Sequence, residues 1–154
     1  MMKAAIFTVS TRAYKAKQES AAGAAVKRVV EQIGFEVKAG VLPEDRTVVE
    51  AVLRQLADTG SVQLILTVGA TGLMKKNCAP DALADAAERL LPGIPEAIRA
   101  YNIRYSKKVI LDRSAAGIRN RTVMVNLPDS AKLAKQGIEY ILPELVQAVE
   151  MLNV

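Results

Sequence analysis

Residues 64–82 constrain this chain more than any other stretch. They begin Leu64-Ile65-Leu66-Thr67-Val68, pass through Gly69-Ala70-Thr71-Gly72 and Leu73-Met74-Lys75-Lys76-Asn77, and reach Pro80 and Asp81. A short apolar run rich in branched residues reads as a strand buried on both faces. Small residues break the run, and a helical pattern follows Pro80. Strand, loop, helix in that order places the loop outside the carboxyl end of a parallel strand, where α/β folds bind ligands. Backbone donors freed by glycines, with Lys75 and Lys76 close by, suit a phosphate. A tight turn with two solubilising lysines accounts for the same residues without a ligand. The spacing spells neither a dinucleotide fingerprint nor a P-loop.

Composition narrows the chemistry. The 154 residues suffice for one domain with a real core, and a 51% hydrophobic content excludes a disordered chain. We therefore expect a single domain over residues 1–154. There is no histidine, which removes histidine-based triads and the common zinc sites, and one cysteine, which removes an internal disulfide framework. The net charge of +5 favours anions, but no tryptophan and only two phenylalanines argue against a base-stacking surface. A duplex-backbone binder stays open on charge alone. The first residues enter a strand pattern at once, and no apolar run is long enough to span a membrane, so the expectation is a soluble cytoplasmic protein.

Taken in order, residues 3–9 read as a strand and residues 10–19 as a polar, basic loop. Ser20 is a suitable N-cap for a helix burying Ala22, Val26, Val29 and Ile33, with Gly34 as its stop. Residues 35–41 form the next strand, which makes a parallel crossover unit. Pro43-Glu44-Asp45 then lead into a helix over 47–58. Those acids are ordinary helix-start residues, or they face the glycine loop from a neighbouring strand end. After the strand at 64–67 we expect a helix over 80–91, an interruption at Pro92-Gly93-Ile94-Pro95, and a helix from Glu96 to about Tyr105. Residues 108–111 read as a strand. Residues 114–118 and 122–127 flank Arg119-Asn120-Arg121 as a hairpin, and Asn126-Leu127-Pro128-Asp129-Ser130 forms a second strand-end loop. The last helical region carries Pro143, which should break it in two. The fold class is α/β, with three α/β/α layers and a mostly parallel sheet carrying one antiparallel strand.

Several segments carry a resemblance when read in order. Gly69 with Thr71-Gly72 fits a Thr-Gly-Gly-Thr-Gly loop. Pro92-Gly93, Glu96 and Arg99 fit Pro-Gly-x-x-Glu-x-x-Arg; Arg113 with Gly117-Ile118 fits Ser-Arg-x-x-x-Gly-Ile; and Asn126-Leu127-Pro128 with Ser130 fits Asn-Leu-Pro-Gly-Ser. Across essentially its whole length the chain resembles the molybdopterin-binding domain family. That family includes molybdenum-cofactor biosynthesis proteins of the MoaB and MogA type, the latter being molybdopterin adenylyltransferases. The pattern departs at Ala70 for glycine, Lys76 for arginine, Asn77 for aspartate, Thr11 for aspartate, Asp112 for serine and Asp129 for glycine. Glu44 keeps the acidic position after Pro43.

The resemblance implies transfer of AMP from ATP to the phosphate of molybdopterin, with Mg²⁺. It implies catalytic roles at Glu44, Lys76 and Asn77, and Mg²⁺ on Glu44 and Asp45. It implies ligand contacts at Ser10, Gly69, Ala70, Thr71, Gly72, Lys75, Glu96, Arg99, Asn126, Pro128 and Ser130. It also implies a homo-oligomer, a trimer or a hexamer. The departures bear on this directly. Ala70 adds a methyl group where a phosphate approaches, Lys76 loses the guanidinium fork, and Asn77 has no negative charge for a metal. A non-catalytic phosphate- or pterin-binding module, and an oligomeric structural protein of the same fold, are the competing readings.

Overall fold

Branched, apolar runs alternate with amphipathic ones, and the chain folds as that alternation dictates. The computed structural model describes residues 2–154. The strands are β1 (Lys3–Val9), β2 (Glu36–Leu42), β3 (Leu64–Val68), β4 (Arg89–Leu90), β5 (Ala116–Arg119) and β6 (Thr122–Leu127). The helices are α1 (Thr11–Ala16), α2 (Ala21–Gln32), α3 (Arg46–Asp58), α4 (Ala79–Ala86), α5 (Gly93–Asn102) and α6 (Ala131–Leu152). They build one six-stranded sheet in the order β2-β1-β3-β6-β5-β4. The pairs β1·β2, β1·β3 and β3·β6 are parallel, whereas β5 runs antiparallel to β6 and β4.

Side-chain alternation on the strands divides the core into two. Leu64, Leu66 and Val68 share one cluster with Val26 of α2, Ile98 of α5 and Ile138 and Leu145 of α6. Ile65 and Met124 share the other with Val49 and Leu53 of α3 and Leu83 of α4. The result is the expected three layers. All five residues of β3 are buried, so the strand is covered on both faces as its composition demands. Truncating Leu66 or Leu53 to alanine should cost about 2–5 kcal/mol.

Several local expectations fail. Ile33, expected on the buried face of α2, caps the helix and is exposed, and the expected interruption at 92–95 is the first turn of α5, which runs from Gly93 to Asn102. The segment 10–19 is not all loop, because Ser10 accepts from the Ala13 N–H at 3.2 Å and caps α1, which ends at Lys17 in the left-handed region. No residue of α1 is buried, so no apolar periodicity announced it. The helix from Pro80 stops at Ala86, and Arg89 and Leu90 become the edge strand β4, paired with Ile118 and Gly117. Gly117 permits this, since a Cβ there would lie 2.7 Å from the Ala87 Cβ. With β4 already on the outer edge of β5, residues 107–111 have no strand to join; they form a 3₁₀ turn in which only Val109 is buried. Finally, Pro143 does not break α6, which runs unbroken over 22 residues. Its ring lies on an exposed stretch, while Ile138, Ile141, Leu145 and Val149 anchor the helix to the core on either side of it. In the described residues no helix is long and apolar enough to cross a membrane.

Candidate functional site

Parallel pairing sets Thr8 beside Val68 and Val68 beside Leu127, so β1, β3 and β6 end side by side. The 69–78 loop leaves the middle of that row. Pro128, Asp129 and Ser130 leave β6, and Ser10 leaves β1 on the other side. The turn after β2 is tied in by two reciprocal bonds, as the Thr11 N–H donates to Glu44 Oε1 at 3.1 Å and the Thr11 hydroxyl accepts from the Glu44 N–H at 3.0 Å.

The glycine loop is left-handed twice in succession, with φ of +98° at Gly69 and +58° at Ala70. Glycine is needed at 69, since a Cβ there would stand 3.0 Å from the Val9 carbonyl oxygen and 3.6 Å from the Asp129 side chain. Ala70 accepts a left-handed conformation at a cost of about 1–2 kcal/mol. Gly69 N–H donates to the Leu127 carbonyl at 2.9 Å. Among the described residues, the N–H groups of Ala70, Thr71, Gly72 and Leu73 donate to no protein acceptor. Successive unpaired amides beyond a strand end make an anion cradle. The first amides of α6, the longest helix, open next to it behind Asp129, and they add the positive end of that helix dipole.

The loop is held from behind by two residues that follow the 3₁₀ turn. Arg113 donates through its backbone N–H to the Thr71 carbonyl at 2.8 Å, through Nε to the Gly72 carbonyl at 2.9 Å and through Nη2 to the Asn77 carbonyl at 2.8 Å. It also pairs with Asp81 at 3.0 Å, which holds the Asp81 carboxyl below its ordinary range and raises Arg113. Asp112 accepts the Thr71 hydroxyl at 2.6 Å through Oδ1 and the Ser114 N–H at 3.2 Å through Oδ2. Arg99 donates to the Ser114 carbonyl at 3.0 Å and stands 3.8 Å from Asp112 Oδ2. A groove of about 340 Å³ runs off the loop between Gly72, Leu73, Val109, Leu111, Pro128 and Leu133, with the charged Lys108 and Asp112 also on its wall.

The sequence-predicted residues divide into three groups. Gly69, Ala70, Thr71 and Gly72 form the turn with the unpaired amides, Lys75 and Lys76 stand exposed on its outer arm without an ion pair among the described residues, and Pro128 lines the groove. Others carry structural work. Ser10 and Ser130 cap α1 and α6, and Asp45 caps α3 by accepting from the Thr47 and Val48 N–H groups. Asn126 is fully buried and cross-braces the sheet. Its Nδ2 donates to Thr67 Oγ1 at 2.7 Å and its Oδ1 accepts from the Ala115 N–H at 2.9 Å. Asn77 turns its Oδ1 back onto the loop to accept the Met74 N–H at 3.0 Å. Arg99 reaches the loop only through Asp112 and Ser114. Glu96 lies exposed in the first turn of α5 with no bond to the loop among the described residues.

Three residues at the site escaped the sequence reading. Arg113 appeared only as a motif match, and Asp112 and Asp129 only as departures from a motif. Asp129 lies over Gly69. Its carboxyl is pushed above the ordinary range, first by desolvation against the loop and then by the Glu44 charge, although the residue as a whole keeps an exposed face. The signal was present as two acids at strand-end loops; matching the chain motif by motif discards just such residues.

Comparison with known proteins agrees with this fold. Residues 5–147 match the family described as a probable molybdopterin binding domain. The chain is 27% identical over 150 residues to the molybdopterin adenylyltransferase of Helicobacter pylori, an overlap covering 96% of this chain and 85% of that protein. Among solved structures, the molybdopterin biosynthesis enzyme MoaB of Thermus thermophilus superposes with a TM-score of 0.88 at 34% identity, covering 99% of this chain and 96% of that one. The molybdopterin biosynthesis Mog protein of Mycobacterium ulcerans gives 0.90 at 27% identity, covering 99% of each. The chain belongs to the molybdopterin-binding domain family of molybdenum-cofactor biosynthesis proteins, of the MoaB/MogA type.

Proposed function

We propose that this protein binds a phosphate-bearing ligand of molybdenum-cofactor assembly at the 69–73 turn, and that any adenylyl transfer it performs there is slow. The observation that carries the first part is the row of four unpaired amides at Ala70–Leu73 beyond the end of β3. Hydrogen bonds to a charged group contribute about 1.5–3 kcal/mol each. Lys75 and Lys76 add charge from the exposed arm. The apolar groove beside Gly72 and Pro128 suits the flat ring of a pterin.

The relatives' names point to ATP and molybdopterin as substrates. In that reaction the pterin phosphate attacks the α-phosphorus of ATP and pyrophosphate leaves. The cradle would hold a phosphate, and the lysines would offset charge on the transferring group. Mg²⁺ would supply further charge neutralisation between phosphate oxygens. The residues implied by the resemblance fit it only in part. Asp45 is committed to capping α3, and the Asn77 oxygen is committed to Met74. Glu44 and Asp129 fit better, because burial and then the nearby Glu44 charge raise the cost of ionising Asp129, a cost a cation would relieve. With one or two carboxylates plus substrate phosphates, the set is of the kind Mg²⁺ accepts.

The same commitment of Asn77 favours a second reading, a module that binds without turnover. We also propose a single domain on length and composition, a cytoplasmic location on hydropathy, and assembly into a trimer or a hexamer on the resemblance. Calorimetry with ATP, AMP and a pterin monophosphate, with and without Mg²⁺, tests the binding reading. Binding of at least one should weaken about tenfold in Lys76→Glu, which turns attraction into repulsion. Equal affinity in the wild type and this variant, both folded, would move the site elsewhere. Pyrophosphate release at or above about 1 per second would contradict slow transfer.

A further inference from the structure

Building on the reading of the 69–73 turn as a phosphate cradle, we propose that Asp112 is a positioning residue that sets its specificity. It fixes the Thr71 hydroxyl as an acceptor toward the ligand, and so selects the singly charged phosphate of a diester or anhydride over a doubly charged terminal phosphate.

The argument starts from a donor count. A threonine hydroxyl has one hydrogen and two lone pairs. The Thr71 hydrogen goes to Asp112 Oδ1 at 2.6 Å, a short bond of the charge-assisted kind. Only lone pairs remain for anything approaching Thr71 from the cradle, and lone pairs repel phosphate oxygens. Asp112 cannot easily release the hydrogen. Its side chain is 13% exposed, and it is held by the Ser114 N–H and by Arg99 at 3.8 Å. The Arg99 charge is shared, because the same guanidinium also serves the Ser114 carbonyl. A carboxylate thus stands one hydroxyl from the Thr71 backbone and also lines the groove beside Gly72. Four backbone amides can match one negative charge on a phosphate. A second charge would face Asp112 with no hydroxyl donor between. The internal phosphates of adenylylated or nucleoside-triphosphate ligands carry one charge each, whereas AMP and a free pterin phosphate end in dianions.

The test uses two probes that differ by that charge and one methyl group, AMP and adenosine 5′-methylphosphate, titrated by calorimetry at pH 8 into the intact protein. The wild type should bind the methyl diester at least as tightly as AMP, despite the extra charge on AMP and the basic net charge of the chain. AMP bound tenfold more tightly by the wild type would overturn the proposal without any variant. Asp112→Asn should improve AMP binding on the order of tenfold, the effect of removing one nearby charge in a half-buried site, and change diester binding by less than about threefold. Asp112→Ser, with a smaller side chain, repeats the measurement should the first variant fold poorly. Loss of a merely structural brace would weaken both probes in parallel, and that result, or an unchanged ratio, overturns the role of Asp112. If Lys76→Glu weakens both probes while the ratio stays fixed in the Asp112 variants, the cradle stands and only this inference falls. If the wild type binds neither probe, this inference falls, and the cradle reading is decided by ATP and the pterin monophosphate.

Discussion

Asn126→Ala separates what the site is made of from what it binds. Asn126 is 0% exposed. Its side chain makes a 2.7 Å bond to Thr67 Oγ1, a 2.9 Å bond from the Ala115 N–H and a longer 3.4 Å contact to the Ala79 carbonyl. Alanine leaves the Ala115 amide and the Thr67 hydroxyl buried without partners. A buried group stranded in this way costs about 1–3 kcal/mol, so the two together should cost about 3–5 kcal/mol, including the small cavity. At a urea slope of about 1–3 kcal/mol per molar, the unfolding midpoint should fall by roughly 2 M. Asn126→Asp should show the charge term. One oxygen still accepts from Ala115, but the other places a charge in a dry site beside the Ala79 carbonyl. Burial raises the folded-state pKa of such a carboxyl above its unfolded value. The folded state then binds more protons than the unfolded one, and this variant loses stability relative to the wild type as pH rises from about 4 to 7. Asn126→Ala has no such slope. A loss below about 1 kcal/mol in Asn126→Ala, with the fold intact, would refute the reasoning, because it would mean the two stranded groups find other partners.

Other outcomes follow from the same geometry. Gly69→Ala should destabilise by about 2 kcal/mol, since it combines a left-handed φ with a close approach to Val9, and a neutral result in thermal unfolding would contradict the loop path. Cys78 is 5% exposed and its thiol is pushed upward by burial, so iodoacetamide should label it only after unfolding; rapid labelling of the native protein would contradict its placement. Arg119, Arg113 and Arg46 hold Asp58, Asp81 and Asp85 below the ordinary carboxylate value of 3.8, so native stability should decline as pH falls below about 4 through those lowered values. Asp129 is raised above 3.8, the opposite sign. Asp129→Asn should therefore stabilise modestly at pH 7, an effect that disappears as the wild-type carboxyl protonates at lower pH; destabilisation at pH 7 would show that Asp129 is favourably paired.

Much of this was legible in the sequence. The strand pattern around Leu64–Val68, the Ser20 cap and the turn residues at 119–121 fixed the layers, the parallel strands and the antiparallel hairpin, because each depends on local periodicity or turn chemistry. The position of the glycine turn after β3 was legible for the same reason, because Gly69 and Gly72 interrupt a buried apolar run. Long-range pairing was not. The edge strand β4 exists because Gly117 lets two backbones approach, and nothing in Arg89-Leu90 announces that. The helix α1 rests on a cap and buries nothing. At the site, the resemblance implied a catalytic role for Asn77 and a ligand contact for Asn126, whereas the Asn77 oxygen accepts from Met74 and the Asn126 amide bonds Thr67 and Ala115. The clasp by Asp112 and Arg113 joins residues some forty positions apart, and only tertiary structure brings them together.

The central claim, that the turn after β3 is an anion cradle, is most directly tested by amide chemical shifts during a titration with ATP. The account predicts progressive, saturable shifts at the N–H groups of Ala70, Thr71, Gly72 and Leu73, with the Gly69 amide, already bonded to Leu127, moving less. Saturable binding that leaves those four amides unmoved while others shift would contradict it.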